Sequence, residues 1–199
     1  MVAGLVERDH LGNGTVAVMY APFVAAHEAP GHVVRWATWD GEGLETVTIR
    51  WENEGFTVNG AVGRERIEYV LRLSPTWQVR QFILFRDLPE PDLWLATDGH
   101  GRWGEMNGAH RTELDGCYDV LLPCTPFTHA LPVRRLPLLD GHTADVPVVT
   151  VDVETLEVLA EPRRLTRVDS VTWRFDDEQF EVDDHGLPVD LPGRYRRVS

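Results

Sequence analysis

The stretch Ile67–Phe85, IEYVLRLSPTWQVRQFILF, decides the fold. Ile67, Tyr69, Leu71 and Leu73 share one face of an extended chain, and Glu68 and Arg72 share the other. That period of two is the pattern of a strand with one face buried and one in water. Ser74-Pro75 then breaks the run. Trp77, Val79, Ile83 and Phe85 resume the pattern against Gln78, Arg80 and Arg86. Residues 82–85, FILF, are apolar on both faces, which predicts a central strand or one wall of a groove.

The same alternation recurs outward in both directions, at 15–20, 32–39, 44–52, 55–62, 92–97, 146–153 and 171–176. Turn signals separate the runs: Asp40-Gly41, Asn53-Glu54-Gly55, Asn59-Gly60, Asp98-Gly99 and Asp140-Gly141. Many strands joined by short turns predict an all-β chain, or nearly so. Its expected form is one large, strongly curved antiparallel sheet, half-barrel or barrel-like, with few helices. Residues 154–163 read as a short helix or a further strand. Residues 1–30 read as an N-terminal extension with an edge strand at Thr15–Tyr20, ahead of a single β-rich domain at 31–199.

Composition removes several classes of function. The chain has 199 residues and a formal net charge of −13, which opposes a phosphate-backbone partner and general attraction to anionic membranes. All nineteen basic residues are arginine, so Schiff-base and P-loop lysines are excluded. Cys117 and Cys124 lack the spacing of a zinc site and are expected as buried, reduced thiols. No apolar run approaches the ~20 residues of a membrane-spanning helix. The opening MVAGLVERDHLGNG has neither a basic n-region nor a long apolar core, so a cytoplasmic address is expected.

The short motifs are mostly bland. Gly99 to Gly104 spells GxGxxG, but no helix pattern follows, so a hairpin turn is expected rather than a nucleotide loop. Asp183-Asp184-His185-Gly186 reads as a polar turn, and the eight histidines lack ligand spacing. No cofactor and no metal are expected. Trp77, Trp94 and Trp173 sit on apolar strand faces, where they pack a core or line a groove.

One segment does not read as ordinary strand or loop: Leu114–Gly141, LDGCYDVLLPCTPFTHALPVRRLPLLDG. Pro126 and Pro132, six apart, are expected to forbid a helix. In an extended chain Arg134 and Arg135 point to opposite faces, so one guanidinium should turn toward the apolar side. There it needs a carboxylate, a polar lining or an anionic ligand. Asp119 is the candidate carboxylate, in a structural ion pair or at the mouth of a binding site.

This segment resembles the bacterial family of "putative glycolipid-binding" proteins, whose members carry Thr-Pro-Phe-Thr-Asn-Thr-Leu-Pro-Ile-Arg-Arg-Leu. The matching residues are Gly116, Cys117, Asp119 and Val120, then Thr125, Pro126, Phe127, Thr128, Leu131, Pro132, Arg134, Arg135 and Leu136. Gly43-Leu44-Glu45, Trp77-Gln78-Val79-Arg80 and the closing FEVDDHGLPVDLPGRYRRV also fit. Leu121 and His129 depart from the family's acidic residue and Asn. The resemblance implies a curved sheet around an apolar cavity and non-catalytic binding of an amphipathic small molecule, such as a glycolipid. Candidate ligand contacts are Asp119, Thr125, Phe127, Thr128, His129, Arg134, Arg135, Trp77 and Arg80. The residues leave two other readings open: a metal-independent enzyme with an Asp/His/Arg site, and a structural or interaction domain.

Overall fold

The computed structural model describes residues 20–23, 31–87 and 89–199. Fourteen strands build two sheets among these residues. They are β1 (His32–Thr38), β2 (Leu44–Glu52), β3 (Gly55–Val62), β4 (Ile67–Leu73), β5 (Val79–Phe85), β6 (Leu93–Thr97), β7 (Trp103–Glu105), β8 (Asp119–Leu121), β9 (Thr143–Val151), β10 (Val158–Arg167), β11 (Thr172–Phe175), β12 (Glu178–Glu181), β13 (Asp190–Leu191) and β14 (Tyr195–Arg197). The larger sheet runs β13-β14-β1-β2-β3-β4-β5-β6-β7, and all its pairings are antiparallel. The smaller runs β12-β11-β10-β9-β8, with β8 parallel to β9. The architecture is the strongly curved, half-barrel-like β fold expected from the alternation.

Strand parity follows that alternation where the ladder is regular. Ile67, Tyr69, Leu71 and Leu73 are all buried, and Glu68 is exposed. In β5 the parity flips. Leu73 pairs with Val79 while Arg72 pairs with Gln81, so Arg80 is the extra residue of a bulge. Beyond it Phe82 and Leu84 point inward, and Ile83 and Phe85, the expected inward pair, are only half-buried. Asn59-Gly60 is not a turn; it lies inside β3, opposite Tyr69 and Val70. A Cβ on Gly60 would sit 2.1 Å from the Tyr69 ring, so the glycine gives that ring its place across the strand.

The 154–163 stretch resolves as a turn leading into β10. The GxGxxG run forms the connection between β6 and β7, a hairpin as expected. Of the proposed edge strand, 15–19 lie outside the described residues.

The expectation that two prolines forbid a helix is overturned. Residues Phe127–His129 form a 3₁₀ turn that continues as α1 (Ala130–Arg135). Pro126 sits just outside it with φ −69°, a helical value. Pro132 is the third residue of α1, in the first turn, where a missing N–H costs little. Arg134 and Arg135 therefore diverge as helix neighbours do, not as strand neighbours do. The segment brings Phe127, Ala130, Leu131 and Val133, all fully buried, into the core shared by both sheets. The helix thus adds its apolar side chains to the core between the sheets.

Candidate functional site

Segment 122–135 is pinned at both ends and in the middle. The Thr128 hydroxyl accepts the Leu122 N–H at 3.2 Å, closing the loop before the helix. The Thr125 hydroxyl accepts the Phe127 N–H at 3.0 Å and donates to Glu45. Tyr69 donates its phenol to the same Glu45 oxygen at 2.9 Å. Burial pushes Glu45 up to about 8, with the two hydroxyl donors opposing.

In the middle, His129 lies 3.3 Å from Glu178, enclosed edge-on by Phe175 and Phe180 at 5.4 and 5.6 Å between ring centres. Glu178 is also held by Arg194 at 3.1 Å. The hydrogen bond to His129 holds its carboxyl below the usual range. A histidine only 2% exposed, with its carboxylate shared by an arginine, anchors the helix to β12 rather than facing a substrate.

Arg135 and Asp119 form a two-point pair, Nε to Oδ1 at 3.1 Å and Nη2 to Oδ2 at 2.5 Å. Asp119 is completely buried, and burial holds its pKa above the usual carboxylate value even against the guanidinium. This contact locks the end of α1 onto β8.

Arg134 is different. Its guanidinium carbon lies 4.2 Å over the Trp77 ring, 4.8 Å from Phe23 and 5.3 Å from Tyr20. It donates one hydrogen bond, to the His185 carbonyl, and its Nε is buried without a partner. No carboxylate lies within ion-pair distance of it among the described residues. Burial lowers its pKa to about 10, still a cation at neutral pH. Trp77 has φ 64°, the left-handed region disfavoured for a bulky residue, and its own Nε1 lacks a partner. Around it Phe23, Phe56, His32 and His185 make further ring contacts, and Phe127 packs on Trp77 from the helix.

The predicted residues therefore separate. Trp77, Phe127 and Arg134 converge on one aromatic corner. Asp119 with Arg135, and Thr128 with the Leu122 backbone, make internal contacts elsewhere, while Thr125 joins Glu45. Arg80 stands apart, donating to the Asp98 carbonyl over the β6–β7 connection at 2.6 Å. The cysteines are buried and unpaired, and burial raises Cys117 to about 11 and Cys124 to about 12, which makes both poor nucleophiles. Residue-by-residue reading missed Tyr20, Phe23, His185, Glu178 and Glu45. For Glu45 the signal was present, since it shares the inward parity of Val47 and Ile49.

Such a chain is a curled-sheet protein whose motif helix carries one arginine in an ion pair and one that has no ion-pair partner among the described residues. It belongs to the family described as "Putative glycolipid-binding", whose model matches residues 33–197. No curated protein matches it in sequence. A crystal structure of a DUF1089 family protein from Pseudomonas aeruginosa is similar, with a TM-score of 0.63 and 22% identity over 96% of this chain and all of that one. That likeness supports the fold. No helix among the described residues is long and apolar enough to cross a membrane.

Proposed function

We propose that this protein binds, without chemistry, an amphipathic small molecule of the glycolipid kind, with Arg134 as a polar contact. One observation carries the reading: a largely buried guanidinium on aromatic rings, with a donor unused and no ion-pair partner among the described residues. A structural arginine in such surroundings normally acquires an acidic partner, as Arg135 has. A ligand with an acidic or hydroxyl-rich head would satisfy the Nε, and the Trp77, Phe56 and Phe23 rings would cover its apolar part. The apolar part would lie along this corner. Tyr20–Phe23, which precedes the family-matched residues and closes over the rings, would give way.

The family description supports this class of ligand. The raised thiols and the enclosed His129 give a metal-independent enzyme no poised nucleophile or base among the residues first suspected. Native mass spectrometry of the purified protein, followed by denaturing extraction, tests the proposal. An acyl-bearing adduct is expected on the wild type and should be depleted from Arg134→Ala. A bare mass for well-folded wild-type protein in every preparation would refute it.

A further inference from the structure

A cavity of about 440 Å³ opens at the other end of the larger sheet, where the β1–β2 turn, the β3–β4 turn and the start of β14 meet. Trp39, Asp40, Arg64, Glu65, Arg194 and Tyr195 contribute its character. Its size falls within the range of small-molecule sites. Trp39 stands at the rim, 50% exposed.

The polar groups in it are unevenly satisfied. Asp40 is bonded by Arg64 at 3.0 Å, and Arg194 by Glu178 at 3.1 Å. Glu65 has no ion-pair partner among the described residues, and its Oε2 is buried without a hydrogen bond. A buried carboxylate oxygen with no donor among the described residues thus belongs to the lining of a pocket that also carries an exposed indole.

We infer that this pocket binds a neutral, hydroxyl-rich ring, a sugar, stacked on Trp39 and donating a hydroxyl toward Glu65. Charge decides among the alternatives. An anion would meet Asp40 and Glu65, and an ammonium would meet Arg64 and Arg194. The described residues hold no cluster of three or more metal-ligating side chains. A polyol both donates and accepts, so it matches carboxylates and guanidinium groups at once. Its C–H face suits an exposed indole. The inference goes beyond the carrier reading, which seats the ligand's head at Arg134, by giving a sugar a second site at the other end of the sheet, and the two can fail separately.

The test is a titration of isotope-labelled full-length protein followed by NMR at the Trp39 indole N–H, assigned with Trp39→Ala. The probes are methyl glucoside, methyl galactoside and methyl mannoside, with choline chloride and inorganic phosphate for the two charged alternatives. At least one glycoside should shift the Trp39 signal saturably, and Trp39→Ala and Glu65→Ala should each weaken binding on the order of tenfold. Trp39 is half exposed, so its removal leaves the core intact. Response to choline or phosphate but to no glycoside, silence with all five, or an affinity indifferent to both substitutions would overturn the inference. Octyl glucoside separates it from the carrier reading. Binding lost in Arg134→Ala but untouched by Trp39→Ala would sink the sugar pocket and keep the carrier. Tail-free glycosides seated on Trp39, with no acyl adduct in native spectra, would do the reverse.

Discussion

Arg134 and Arg135 are chain neighbours of identical chemistry in opposite circumstances. Arg135 closes a two-point pair with the wholly buried Asp119. Arg134 lies on Trp77 with one carbonyl acceptor and an idle Nε. Glu45 completes the contrast as a buried carboxyl served by two hydroxyls and, among the described residues, by no cation. A charge whose counter-charge is supplied by the fold serves the fold. One left without it marks where something else is to be supplied.

The largest effect should come from breaking the closed pair. Arg135→Ala leaves Asp119 buried and alone, and should lower stability by about 3–5 kcal/mol in chemical denaturation. Adding Asp119→Asn should recover part of the loss. A loss no larger than that of Arg134→Ala would erase the contrast.

Glu45 comes next, through its pH dependence. Its folded pKa of about 8 lies above the ordinary 4.5, so the folded state binds this proton more tightly than the unfolded state. Its contribution is complete below about 4.5 and is lost as the pH rises through about 8. Glu45→Gln, which keeps an acceptor for Tyr69 and Thr125, should gain on the wild type by roughly 5 kcal/mol across that window. Parallel stability–pH curves for the two proteins would show that Glu45 is not held protonated.

Arg134→Ala should cost only about 1–2 kcal/mol, the worth of a partly desolvated cation–π contact. Its main consequence should be the loss of co-purified ligand. The smallest effect belongs to Arg80→Ala, expected within ~0.5 kcal/mol and without influence on ligand, because Arg80 bonds a turn carbonyl far from the aromatic corner. Ligand loss in this variant would relocate the site.

The sheet was legible because period-two alternation in Ile67–Leu73 and its counterparts is a direct record of one buried face. It misled wherever the ladder is irregular. The bulge at Arg80 reversed the parity of β5, and Asn59-Gly60 mimicked a turn while making room for Tyr69. The helix was hidden by a rule applied without position, since proline is excluded from a helix interior and not from its first turn. Asp119, Arg134 and Arg135 stood out as charges in an apolar run, and all three proved to be at least half-buried. What local pattern does not encode is which partner each charge meets. His185 and Phe23 reach Arg134 from distant parts of the chain, and only the folded topology brings them together.

Native mass spectrometry of the wild type beside Arg134→Ala and Arg135→Ala tests the central claim most directly. An acyl-bearing adduct should accompany the wild type, persist on whatever Arg135→Ala remains folded, and vanish from a well-folded Arg134→Ala. Equal retention by the wild type and Arg134→Ala would contradict the role given to the unpaired guanidinium.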